Sequence, residues 1–94
     1  MKRIEWNELK NAKLKSIRGI CFEDAQTAIE EGAVLDDVIH PNQKRYKNQR
    51  IFIIKLNNYA CLVPYVEDDE KIFLKTVIPN SKATKKYLKE EGNE

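Results

Sequence analysis

Apolar positions crowd into one stretch, Arg50 to Pro79, and the rest of the chain is arranged about it. Arg50 to Leu56 is apolar and β-branched, Tyr59 to Val66 follows, and Lys71 to Ile78 closes the set. The breaks are Asn57-Asn58 and the acidic run Glu67-Asp68-Asp69-Glu70. Asparagine tolerates left-handed backbone, so a two-residue gap of asparagines predicts a tight hairpin. The pattern predicts three strands in an antiparallel meander that supplies most of the core. Pro64 conflicts with this, because proline cannot donate to a ladder. Either a bulge relieves the pairing there, or the strand order departs from a meander. On the third strand, Lys71, Phe73, Lys75 and Val77 share one face, and Ile72, Leu74 and Ile78 share the other.

The residues before the meander read as cover for one of its faces. Ile4-Glu5-Trp6 is a short extended piece, with Trp6 as a buried plug over the sheet. Asn7 caps a helix over Glu8 to Arg18, whose apolar stripe is Leu9, Ala12 and Ile17 with Leu14 beside them. Gly19 supplies the left-handed stop. Phe22 to Glu31 is a second helix with Phe22, Ala25, Ala28 and Ile29 on one face, ended by Gly32. Ala33 to Ile39 alternates weakly, as an edge strand would, and Pro41 to Gln49 is the one long loop. Asn80 or Ser81 caps a final helix from Lys82 to about Glu90, and Gly92-Asn93-Glu94 frays. The expectation is one α+β domain over residues 1–94. Two N-terminal helices pack on a three- to four-stranded antiparallel sheet, and a short C-terminal helix follows.

Charge adds a distribution rather than a sign. Charged residues are 34% of the 94, yet they nearly cancel, to +2. Cys21 to Ile39 carries six acids and no base, His40 to Arg50 four bases and no acid, and Ser81 to Lys89 four lysines and no acid. Such segregation makes local fields that net charge hides. No run approaches the roughly 18 apolar residues of a membrane span, and the N-terminus lacks the apolar region of a signal peptide. Cys21 and Cys61 read as buried thiols of a cytoplasmic protein. A single histidine excludes a multi-histidine metal site, and the scattered glycines form no phosphate loop, so neither metal nor cofactor is expected.

What remains is a set of basic and hydroxyl groups: His40, Lys44, Arg45, Tyr46, Lys47, Arg50, Lys75, Ser81, Lys82, Lys85, Lys86 and Tyr87. Cations that hold phosphate, with groups able to move protons, suit RNA cleavage without a metal. Tyrosines interleaved with cations also suit single-stranded RNA, because rings stack on bases while cations hold the backbone. Candidate catalytic residues are Lys75, His40 and Tyr87. Candidate RNA contacts are Lys44, Arg45, Arg50, Lys82, Lys85 and Lys86. Lysine on an otherwise apolar strand is also what protects a sheet edge, so Lys75 has two readings. The site is expected where the third strand ends and the last helix begins, with Lys75, Lys82, Lys86 and Arg45 converging.

Two ends of the chain carry a family likeness. Ile4-Glu5-Trp6-Asn7-Glu8, Lys10-Asn11, Gly19-Ile20 and Phe22-Glu23-Asp24-Ala25 resemble the opening of BrnT-like toxins. Lys71 to Tyr87, with Lys82-Ala83-Thr84, resembles the same family's last strand and helix. Ser81 stands where the family has an arginine, Arg18 where it has a histidine, and Lys75-Thr76 near a further family arginine. The resemblance implies a RelE-like fold and the toxin half of a type II toxin–antitoxin pair. It implies a ribonuclease that needs no metal and is inhibited by a cognate antitoxin, commonly of ribbon-helix-helix type. RNA is then the direct partner, and DNA is met only through the antitoxin. The alternative is a catalytically weak or inactive homologue that keeps the antitoxin interface as a regulatory module.

Overall fold

The computed structural model describes residues 2–88. In chain order the elements are β1 (Arg3–Glu5), α1 (Glu8–Arg18), α2 (Phe22–Glu30), β2 (Val34–Ile39), β3 (Arg50–Leu56), β4 (Tyr59–Glu67), β5 (Lys71–Leu74), β6 (Ile78–Pro79) and α3 (Ser81–Leu88). The six strands form one sheet, ordered β1-β5-β4-β3-β2, with β6 also beside β4. The end of the last helix at Glu90 and the fraying of Gly92-Asn93-Glu94 concern positions outside the described residues.

The hairpin forms as the asparagines dictate. Asn57 and Asn58 both have left-handed backbone, with φ of 51° and 68°. From them the β3–β4 ladder runs unbroken, from Leu56 opposite Tyr59 to Arg50 opposite Tyr65. The other side of β4 resolves the Pro64 conflict. The Pro64 carbonyl accepts from the Lys75 amide there, at 2.8 Å. A strand residue's N–H points to the same side as its carbonyl, so the missing donor faces the β5–β6 side. That is where the third strand breaks: β5 ends at Leu74 and β6 begins at Ile78. The single strand expected over Lys71 to Ile78 is therefore two. Its face assignment changes with the break, because Val77 turns into the larger core and is fully buried.

The sheet is mixed and has more strands than the expected three or four, and this corrects the antiparallel expectation. β1 pairs parallel to β5, with Arg3 opposite Lys71 and Glu5 opposite Phe73. Three residues are too few to show a period, so the sequence pattern leaves them as an extended piece. Their anchor is Ile4, buried beside Ile72 in the same core.

Helices cover both faces. Leu14 of α1 and Phe22, Ala25, Ala28 and Ile29 of α2 pack on Phe52, Ile54, Val63, Tyr65 and Leu74. On the opposite face Ala83 of α3, with Tyr87, packs on Ile51, Ile53, Ala60 and Leu62. Burial on both sides explains why Ile51 to Ile54 is a continuous apolar run. Asn80 caps α3 by accepting from the Ala83 amide at 2.7 Å, and the Thr84 hydroxyl accepts from the Ala60 amide at 2.9 Å.

The expected stripe of α1 is overturned. Leu9 is 84% exposed and Ile17 72%, while the buried residues of this helix are Leu14 and Asn11. Asn11 faces inward because it has partners there. Its Oδ1 accepts from the Phe22 amide at 2.8 Å, and its Nδ2 donates to Glu23 Oε1 at 2.9 Å. A hydrogen-bonded asparagine is thus the pin between the two helices, a position that binary patterning assigns to solvent. Trp6 is mostly buried and packs on the larger core, as a plug would. Its ring stacks on Phe22 at 5.5 Å, and its Nε1 donates to Glu8 at 3.1 Å. Of the two thiols, Cys61 is buried and Cys21 partly exposed.

The acidic turn after β4 is built on Asp68. Its Oδ1 accepts from the amides of Glu70 and Lys71, and its Oδ2 pairs with Lys71 Nζ at 3.2 Å. These donors favour the charged form and lower the carboxyl from 3.8 to about 2. A depressed folded-state value gives stability that is present above pH 3.8 and lost as pH falls through about 2. Urea midpoints measured at pH 5 and pH 2 are expected to converge more closely in Asp68→Ala than in the native chain. An undiminished pH difference in the variant would assign the acid sensitivity elsewhere.

Candidate functional site

The candidate residues fall into three separate groups. The first is the 40–49 loop. Here the His40 ring leans on Tyr46, with centroids 4.4 Å apart, and the Arg45 guanidinium lies 5.5 Å from the Tyr46 centroid. The His40 Nδ1 accepts from the Asn42 amide at 3.1 Å. Gln43 donates to the carbonyls of both His40 and Gln49, and left-handed Asn48 (φ 65°) closes the turn. Lys44, Arg45 and Lys47 are exposed on this loop. Arg50, at the start of β3, is already engaged. Its Nε meets Asp37 Oδ1 at 3.3 Å, and Asp37 also takes the Tyr65 hydroxyl at 2.8 Å.

The second group is α3. Lys82, Lys85 and Lys86 are exposed, and Lys86 Nζ lies 5.2 Å from the Tyr87 centroid. Tyr87 donates its hydroxyl to Asp36 Oδ2 at 2.7 Å. That bond raises the Tyr87 value and lowers that of Asp36. The tyrosine fastens α3 to β2 and holds its proton in that bond.

The third group is Lys75, and the structure sets it apart from the other two. Its amide bonds the Pro64 carbonyl, while the Asn80 amide bonds that of Ala60. Four residues along β4 are about 13 Å, so the start of α3 stands well away from Lys75. His40 continues β2, and across the sheet its backbone is three strand spacings from Lys75, about 14 Å. The expected convergence of Lys75 with Lys82, Lys86 and Arg45 is not made.

Lys75 instead meets α1. An open groove of about 540 Å³ is lined by Asn7, Leu9, Lys10, Lys13, Phe73 and Lys75. Lys75 Nζ lies 5.5 Å from the centroid of Phe73, which is partly exposed. β1 positions the helix here: Glu5 pairs with Phe73, and Asn7 caps α1 immediately afterwards by accepting from the Lys10 amide at 3.0 Å. A smaller groove of about 170 Å³ continues along the helix past Lys10, Lys13, Leu14, Ile17, Arg18 and Thr76. Arg18 there donates to the Val77 carbonyl at 3.4 Å. Lys10, Lys13 and Phe73 had no place among the sequence candidates. The signal was the helical spacing of Lys10 and Lys13, but nothing local announces that Lys75 joins them. The grooves are cationic and mostly apolar-walled, a combination that holds an anion beside a flat or aliphatic group. Among the described residues no cluster of three or more metal-binding side chains occurs, and no helix is long and apolar enough to cross a membrane.

The architecture defines an α+β class: a mixed sheet with a helical pair on one face and a single helix on the other. It is similar to the crystal structure of a YafQ point mutant from E. coli, with a TM-score of 0.50 and 18% identity over 87% of this chain and 97% of that one. No family model and no curated protein matches the sequence.

Proposed function

We propose that this chain is the toxin component of a toxin–antitoxin pair of the RelE-like kind, acting on RNA. Three things support the reading. The two ends of the sequence resemble BrnT-like toxins. The fold is similar to that of YafQ, itself a RelE-family toxin. The observation that carries it is the groove that Lys10, Lys13 and Lys75 line together with the partly exposed Phe73. Lysines hold successive phosphates there, and the ring takes a base. Lys75 is the cation placed to stabilise charge on a phosphate under attack, with no metal required. A cognate antitoxin would restrain the activity, and the natural setting would be the bacterial cytoplasm.

A second reading is an RNA-binding homologue with little cleavage, and a specific observation favours it. The hydroxyl of Tyr87 is committed to Asp36, and His40 stands across the sheet from Lys75. The groove is then furnished for binding and lacks a paired acid and base. Anisotropy titrations with single-stranded RNA at several salt concentrations test the binding shared by both readings. Replacing Lys10, Lys13 and Lys75 by alanine is expected to lower the salt slope by about 2, near 0.7 per lost phosphate contact. An unchanged slope would remove the groove from the site. RNA cleavage by the purified chain, with growth on expression without antitoxin, separates the readings. Cleavage lost in Lys75→Ala supports the ribonuclease, and binding without cleavage supports the homologue.

A further inference from the structure

We propose that the 40–49 loop is a second RNA contact, one that grips the phosphate backbone of a duplex, so that the preferred substrate is a single strand adjoining a helical stem. The loop has neither helix nor strand, yet it is internally braced. At its root the His40 amide bonds the Gln49 carbonyl at 3.0 Å, and within it the Tyr46 amide bonds the Asn42 carbonyl at 2.9 Å. Asn42 Oδ1 accepts from the Arg45 amide at 3.1 Å, and Gln43 Oε1 from the Asn48 amide at 3.3 Å. A connection packed by its own side chains keeps its tip in one shape. That tip presents Lys44, Arg45 and Lys47, all exposed and none in a salt bridge among the described residues. Cations carried on a backbone ordered beforehand lose less freedom when they meet an anion.

The chemistry of the loop selects phosphate over base. Tyr46, its one large aromatic, is partly buried and already has neighbours: the His40 ring at 4.4 Å and the Arg45 guanidinium at 5.5 Å. A ring engaged in this way is not the free platform on which a splayed base stacks. Double-stranded RNA needs no such platform, because it is recognised by shape and by contacts to its backbone. The two surfaces are placed to be used together. Leu74, Tyr65, Arg50 and Ile39 stand opposite one another across β5, β4, β3 and β2. The loop springs from the β2–β3 end of this row, and Phe73 and Lys75 flank Leu74 at the other end. One RNA meets both by crossing three strand spacings, about 14 Å. The acidic turn narrows the approach. Asp68 and Asp69 share an open groove of about 320 Å³ with Asn48 and Arg50, and their carboxylates repel phosphate from the base of the loop. The backbone is left the tip, at Lys44, Arg45 and Lys47. The duplex assignment rests on the RNA reading above, while the loop's geometry does not.

The test measures anisotropy of the full chain with three fluorescein-labelled RNAs: an unstructured strand, a blunt hairpin, and the hairpin carrying the strand as a tail. The native chain is expected to hold the tailed hairpin at least about tenfold tighter than either part alone, as two linked contacts on one ligand give. Lys44→Ala/Arg45→Ala/Lys47→Ala should remove that advantage and leave the strand unaffected. It should also lower the salt slope on the tailed hairpin by about 2–3, near 0.9 per lost duplex phosphate contact. All three side chains are exposed, and alanine keeps the Arg45 amide that bonds Asn42, so the loop keeps its shape. Equal affinity for the strand and the tailed hairpin overturns the proposal. So does an advantage that survives in the loop variant, and a loss there of affinity for an acidic peptide instead would make a protein the occupant. Strand binding untouched in Lys10→Ala/Lys13→Ala/Lys75→Ala overturns the groove reading, and hairpin binding that still needs the loop then upholds the duplex contact. Binding of none of the three RNAs overturns both.

Discussion

Asn11→Ala is expected to destabilise the fold by about 1–3 kcal/mol, the cost of stranding a buried donor. The donor is the Phe22 amide, in a residue with no exposed surface, and Asn11 Oδ1 is its partner at 2.8 Å. Asn11 itself is 2% exposed, so water has no ready access to replace it. The substitution also frees Glu23, whose carboxyl is held below the usual range first by the Asn11 amide. In a domain of this size the loss corresponds to a fall in Tm of about 5–20 °C. Asn11→Asp keeps the acceptor for Phe22 but sets a second carboxylate against Glu23. It should therefore be rescued in part by Glu23→Gln, which Asn11→Ala should not be. Thermal melts of the single and double variants give the answer. Equal melting of Asn11→Ala and the native chain would show that the two helices are held by apolar packing alone.

The second large effect is alkaline. Tyr65 is 2% exposed, stacked on Phe52 at 4.0 Å, and it donates to both oxygens of Asp37, at 2.8 and 2.9 Å. Burial first, and then the Asp37 bond, push its hydroxyl up from 10 to about 12. A raised folded-state value means stability that is whole below pH 10 and is lost as pH rises through about 12. The gap between the two values is worth on the order of 2–3 kcal/mol. Denaturation at pH 9 and pH 11.5 should therefore show a steep loss in the native chain. Tyr65→Phe should be less stable at pH 9 and fall less steeply. Tyr87→Phe, altered at a less buried tyrosine, should keep most of the native slope. A slope unchanged in Tyr65→Phe would place the alkaline transition on the lysines.

Local chemistry made much of this fold legible. Asn57-Asn58 dictated the hairpin, Gly19 the stop of α1, Asn7 and Asn80 the helix caps, and the inward face of α2 followed from its period. What failed was long-range or polar. β1 is too short to show a period, and its partner lies at the other end of the chain. Pro64 announced an irregularity, but which neighbour yields depends on which side its missing N–H faces. α1 was turned the wrong way because Asn11 pays for burial with two hydrogen bonds, and hydropathy does not record them. The candidate site failed for a related reason. Lys75 stood out among the candidates, but its neighbours are fixed by the β1–β5 pairing, which brings α1 alongside rather than α3.

The β1–β5 pairing also sets an order of events on the ribosome. Arg3 emerges before its partner Lys71, which follows only after β2, β3 and β4 have been made. Contacts so distant in sequence close late and slow the final step of folding. α1 can form as soon as it leaves the exit tunnel and be pinned to α2 by Asn11, but the groove beside it has no second wall until β5 arrives. Lys10 and Lys13 wait on one side of a gap that Phe73 and Lys75 have yet to close. A nascent or truncated chain ending before β5 therefore carries the helix without the groove. The groove exists only once β5 has been made and has paired with β1.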